Sequence, residues 1–184
     1  MGRRFIASEI AILLLFLLAG FSASAQDKSF GSRLGYSVEL MGEGFAKDFS
    51  TFSLDLKIRY NVTPSFSVFI PIAGSELLYN KTTTRNYDFA GMTGAGMCLR
   101  HSLSWGDEIA ASLSGMSTIG NDSGNYWQIR AMGEYVLPTV MGFGTFIGVG
   151  VEYRHTYKGS SFINGFFPVI SIGIILEHPS YSKH

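Results

Sequence analysis

Thr51-Phe52-Ser53-Leu54-Asp55-Leu56-Lys57-Ile58-Arg59-Tyr60 decides the fold. Its odd-numbered residues are hydroxylic or charged, and its even-numbered residues are aliphatic or aromatic. A period of two belongs to a β-strand with one dry face, because successive side chains leave a strand on opposite sides. Asn61-Val62-Thr63-Pro64-Ser65 then supplies turn residues. Phe66, Val68, Ile70 and Ile72 resume an apolar face opposite Ser65 and Ser67, so the two strands are expected to form a hairpin.

Working outward, the same reading places strands at Leu34 to Met41, Asp88 to Leu103, Glu108 to Ile119, Tyr126 to Leu137, Gly142 to His155 and Phe162 to Leu176. That makes eight. Strand plus connection takes about 20 residues, longer than the 8 to 12 of a soluble sandwich and suited to tilted strands of about 10 residues that cross a membrane. The expected fold is all-β, an eight-stranded antiparallel up-and-down transmembrane barrel. An even count puts both chain ends on the periplasmic side.

Charge placement carries the membrane argument, since Lys or Arg in the middle of a lipid face costs roughly 2–4 kcal/mol. Turning the polar parity inward sends Glu39, Asp55, Lys57, Arg59, Arg100, Glu108, Arg130, Glu134, Glu152 and Arg154 into the lumen. The opposite parity is aliphatic, as in Leu54, Leu56 and Ile58, or Ile170, Ile172 and Ile174. Aromatic residues, which play no part in choosing the parity, fall near strand ends: Phe52, Tyr60, Phe66, Phe89, Trp105, Trp127, Tyr135, Phe143 and Tyr153. Two interfacial girdles are expected from them.

On this pattern, and especially on Leu56-Lys57-Ile58-Arg59-Tyr60-Asn61-Val62-Thr63-Pro64-Ser65-Phe66-Ser67-Val68, the chain resembles the small outer-membrane barrels of the OmpA/OmpX type. The resemblance implies a porin-like barrel domain in the outer membrane of a Gram-negative cell, surrounded by outer-membrane lipid and lipopolysaccharide. Barrels of this type often finish on an aromatic. Here Leu176 is followed by Glu177-His178-Pro179-Ser180-Tyr181-Ser182-Lys183-His184, so the assembly signal is atypical or the last strand ends early.

The opening residues agree with export. Arg3 and Arg4 precede the apolar run Ile10 to Ala19, and Ala23-Ser24-Ala25 offers a small-residue cleavage site. We expect a signal peptide over 1–25 and a single barrel domain over 26–184. No cysteine sits at the cleavage point, where Gln26 and Asp27 follow, which argues against a lipid-anchored protein. Removing Arg3, Arg4 and Glu9 leaves 12 basic against 13 acidic residues, a balance that points to no nucleic-acid partner. Cys98 is the only cysteine, so an internal disulfide is excluded.

Five acids and five bases in a narrow lumen predict a paired network that plugs the barrel. Gly94, Gly96, Gly142, Gly144, Gly148 and Gly150 are expected to leave room for those long side chains. Gly91, Gly94 and Gly96 form a G-x-x-G-x-G with no following helix, so no nucleotide or other cofactor is expected. Outer loops are expected near Gly42 to Ser50, Tyr79 to Tyr87, Gly120 to Asn125 and Thr156 to Ser161, short and mixed in charge. Asn61, Asn80 and Asn121 read as turn residues, although each sits in an N-x-[ST] sequence.

No His, Cys or carboxylate set has metal-ligand spacing, and no catalytic residue is expected. The alternative is centred on His155. Val151-Glu152-Tyr153-Arg154-His155 before the final hairpin resembles the lipid A deacylase barrels, whose motif is His-x-Ser with a Glu on the last strand. Tyr157 stands where the serine belongs, and strand eight has no glutamate before Glu177, so an ordinary rim histidine is the preferred reading. A soluble periplasmic lipid-binding barrel is a further alternative. The leading expectation is a structural or surface-interaction barrel without catalysis, with an extracellular or periplasmic protein partner left unidentified.

Overall fold

In the computed structural model, residues 33–46, 49–79, 87–104, 106–119, 126–137, 143–157 and 164–177 are described. The expected signal peptide, Trp105, Asn80, Asn121, Gly142 and the residues after Glu177 lie outside them. Eight strands follow one another: β1 (Leu34–Ala46), β2 (Phe49–Thr63), β3 (Phe66–Tyr79), β4 (Tyr87–Ser102), β5 (Glu108–Thr118), β6 (Tyr126–Val136), β7 (Phe143–Thr156) and β8 (Gly165–Glu177). Each pairs antiparallel with its sequence neighbour, and β8 closes on β1 from Val169↔Glu43 to Glu177↔Gly35. Closure satisfies the edge groups that an open sheet would leave unpaired.

The register gives the barrel its proportions. Paired positions run from Glu108 through Val136, Phe146, Gly173, Glu39, Asp55, Ala73 and Met92 back to β5 at Thr118, ten residues further along the strand. A stagger of ten on eight strands tilts them about 40° from the axis at ~3.3 Å rise and ~4.8 Å spacing. At that tilt the eleven residues of β5 climb about 25 Å, the height of a membrane barrel's apolar band.

Several strands run longer than the sequence pattern indicates. Gly42 to Ala46 continues β1 and Phe49 begins β2, so most of the expected loop from Gly42 to Ser50 is wall. Likewise β2 continues to Thr63 with a register shift between Asn61 and Thr63, and only Pro64-Ser65 turns the chain. Asn61 is therefore a buried strand residue and not a turn residue. Its glycines and polar residues hide this extension, because they weaken local strand propensity while closure of the ladder enforces it.

Burial alternates along the strands: β5 reads exposed, buried in strict alternation through its middle, and β6 does the same. The inner face is polar and the outer face apolar. Leu40, Leu54, Ile70, Leu99, Ile147, Val149, Ile170 and Ile172 are all exposed, Val149 by 66%. The interior holds small apolar clusters: Ala73, Met92, Met116, Tyr126 and Phe167 in the half away from Leu34, and Val136, Phe146 and Ile175 at the opposite end. We call the end carrying Leu34 and Glu177 the lower end and the other the upper end.

Candidate functional site

Three acids and two arginines meet inside the upper half of the barrel. Arg130 on β6 reaches Asp55 on the facing strand β2 with Nη1–Oδ2 2.8 Å, and donates from Nε to Glu152 Oε2 on β7 at 2.9 Å. Its Nη2 also bonds Glu43 on β1. Arg154 on β7 bonds Glu43 and Glu152, and donates from Nη1 to Thr51 Oγ1 at 2.9 Å. Ser53 Oγ donates to Glu43 Oε1 at 2.9 Å. The Arg154 guanidinium also lies over the rings of Tyr126 and Phe167, at 5.2 and 5.6 Å.

A second cluster sits below. Lys57 on β2 pairs with Glu39 on β1 and lies 3.5 Å from Glu134 on β6, whose Oε1 accepts from Ser112 Oγ at 3.3 Å. Lys57 Nζ is 5.2 Å from the Phe69 ring centroid. These eleven polar side chains are within a tenth of full burial, and Glu43, Asp55, Glu152 and Arg154 are fully enclosed. Such ions stay charged only where partners replace their lost water, and each cation here is placed among two or more acids.

Of the sequence-derived lumen residues, Glu39, Asp55, Lys57, Arg130, Glu134, Glu152 and Arg154 belong to these two clusters. Arg59 is buried lower on β2, and Arg100 and Glu108 are half-buried at the lower mouth. Glu43 is the residue that sequence reasoning missed, and it bridges both arginines. Its parity identifies it, since Ser37, Glu39, Met41 and Glu43 share one face; the supposed loop at Gly42 concealed it.

The inward glycines divide. A Cβ at Gly96 would stand 2.3 Å from the Phe69 ring, and one at Gly150 would stand 2.2 Å from the Ala131 carbonyl and 2.5 Å from Met132 Sδ, so these two seat apolar side chains and neighbouring backbone. A Cβ at Gly148 would stand 3.4 Å from Glu134 Cγ, so that glycine does leave room for a long charged side chain.

On the outside, Phe52, Phe89, Trp127 and Tyr153 lie towards the upper end, and Tyr60, Phe66, Tyr135 and Phe143 towards the lower end. Between the two rows the outer wall is aliphatic. The fold is that of the small eight-stranded outer-membrane barrels. Neisserial surface protein A has a similar structure, with a TM-score of 0.52, 11% identity, and 78% of this chain and 95% of that one covered. The N-terminal β-barrel domain of Pseudomonas aeruginosa OprF aligns with a TM-score of 0.41, 14% identity, and 77% and 97% coverage. No protein-family model matches the sequence, and no curated protein matches it.

His155 stands on the outer face at the upper rim, its ring 5.7 Å from that of Trp127. Tyr157, at the position a deacylase motif gives to serine, has its Oη 3.1 Å from Ser117 Oγ. Glu177 ends β8 at the lower end, the opposite end of the barrel from His155. No group of three His, Cys, Asp or Glu residues fit to hold a metal occurs among the described residues.

Proposed function

We propose that the chain is a structural or surface-interaction barrel of the outer membrane, held in the bilayer by its apolar outer wall and closed to ions by its paired lumen. The carrying observation is the inside-out distribution of polarity. An arginine of 0% exposure sits inside while Val149 and Ile172, exposed by 66% and 60%, face out. A soluble lipid carrier needs the reverse, an apolar cavity within a polar shell, because an exposed apolar band of this extent drives association in water.

Closure follows from side-chain reach. Arg130 spans from β6 to the facing strand β2, and the Lys57 cluster repeats the crossing below it. Eight-strand interiors are just wide enough for side chains to fill. An ion entering would have to separate several buried pairs, each costly to break. His155 is read as an interfacial rim residue, since Tyr157 stands at the serine position of a deacylase motif and Glu177 lies at the opposite end of the barrel. The test is reconstitution into a planar bilayer. Inserted protein should give no stepwise conductance; steady channels at neutral pH would contradict a closed lumen.

A further inference from the structure

The upper rim of the outer wall is uneven. On β5 to β8, Trp127 lies 5.6 Å from Tyr153 and 5.7 Å from His155 between ring centroids, and Tyr153 lies 4.9 Å from Phe166. Ser117 is level with Trp127 on its other side, and Ser117 Oγ is 3.1 Å from Tyr157 Oη. All six side chains share the outward parity, with Phe166 exposed by 74%. The other half of the rim is built differently: Phe52, Glu76 and Phe89 are neighbours on β2 to β4, so a carboxylate stands between two phenyl rings.

Polarity within the ringed patch is graded along the barrel axis. Ile129, Tyr153 and Phe166 form one paired row. Ser117, Trp127 and His155 form the row above, and Tyr157 comes directly after the end of β7. Hydroxyl and imidazole groups therefore follow the greasy row within two steps upward, beside the exposed Ile119 above Ser117. None of these residues is a lysine, arginine or carboxylate, and the neighbouring Arg154 points inward onto Glu43 and Glu152. Among the described residues, a headgroup recognised through phosphate would find no lysine or arginine in the patch. One recognised through hydroxyls and C–H faces finds both kinds of partner.

We propose that this patch binds the sugar headgroup of an acylated glycolipid in the outer leaflet. Trp127, Tyr153 and Phe166 take the sugar's C–H face and the first methylenes of the chain, while Ser117, His155 and Tyr157 hydrogen-bond its hydroxyls. The inference rests on the membrane reading above and adds the chemical class of lipid and its place on the wall.

The test uses full-length protein in nanodiscs of phosphatidylcholine containing a minor fraction of glucosyl-diacylglycerol. Lipids that stay on the released barrel are counted by native mass spectrometry. Wild type should retain the glycolipid in preference to phosphatidylcholine. Tyr153→Leu with His155→Leu, which keeps the wall apolar, should lower that preference roughly tenfold, while Phe52→Leu with Phe89→Leu should leave it unchanged. Equal loss in both pairs, no preference in wild type, or preferential retention of an anionic phospholipid added as a third lipid would each overturn the proposal. If the first pair fails to give a heat-modifiable barrel, His155→Leu alone, at an exposed side chain, takes its place with a smaller loss in the same direction. Failure of wild type to enter the nanodisc would instead overturn the membrane reading.

Discussion

The two faces of the wall are built from the same strands and obey different rules. On β6, Ile129 and Ala131 face out and need only be apolar, whereas Arg130 between them contacts named atoms on three other strands. Away from the ringed patch on β5 to β8, the outer face has no side-chain partners to match, so hydrophobicity and size suffice there. The inner face meets other side chains at close range, where one removal strands several charges. Along most of the wall the specific contacts lie inside, and the apolar surface that the proposed membrane seat requires lies outside.

The comparison can be broken at neighbouring residues. Arg130→Ala leaves Asp55, Glu43 and Glu152 short of their shared cation, and should cost about 3–5 kcal/mol, read as a lower urea midpoint of the refolded barrel in lipid vesicles. One residue away, Ala131→Arg places a charge on the outer face midway along β6 and should cost about 2–4 kcal/mol in the same assay. Equal tolerance of arginine at 131 and alanine at 130 would dissolve the distinction between the faces.

Glycines sharpen it on a smaller scale. Gly150→Ala drives a methyl group into the Ala131 carbonyl and Met132, and should destabilise by about 1–3 kcal/mol, seen as a lower temperature for loss of the compact gel form. Gly115→Ala adds the same methyl where nothing lies within 4 Å, and should change that temperature hardly at all. The smallest effect belongs to Ile172→Leu on the exposed wall, expected within about 0.5 kcal/mol by urea titration.

Much of this contrast is legible in the amino-acid sequence, for physical reasons. In Thr51–Tyr60 the alternation is uninterrupted, and an inner face that must be polar leaves one parity for the acids and bases. Strand number follows from repeating that pattern. Glu43 is harder to read, because Gly42, Gly44, Lys47 and Asp48 look like a turn; β1 nevertheless extends to Ala46, paired with β8 as far as Glu43 and with β2 as far as Ala46. The partners of each charge are not legible at all. Arg130 and Glu43 are 87 residues apart, and only the ten-residue stagger of the closed barrel sets which inward residues share a level. Room for Phe69 and Met132 at glycines is invisible for the same reason, being set by contact across strands. The ringed patch on β5 to β8 is partly visible: Trp127 and Tyr153 read as belt residues, while their clustering with His155 and Phe166 depends on register.

Membrane fractionation followed by gels of boiled and unboiled samples tests the central claim, an apolar wall seated in the outer membrane around a closed polar lumen. The account predicts a band in the outer-membrane fraction that migrates faster unboiled than boiled, as a barrel that resists detergent does. A periplasmic, freely soluble band with no heat shift would contradict it.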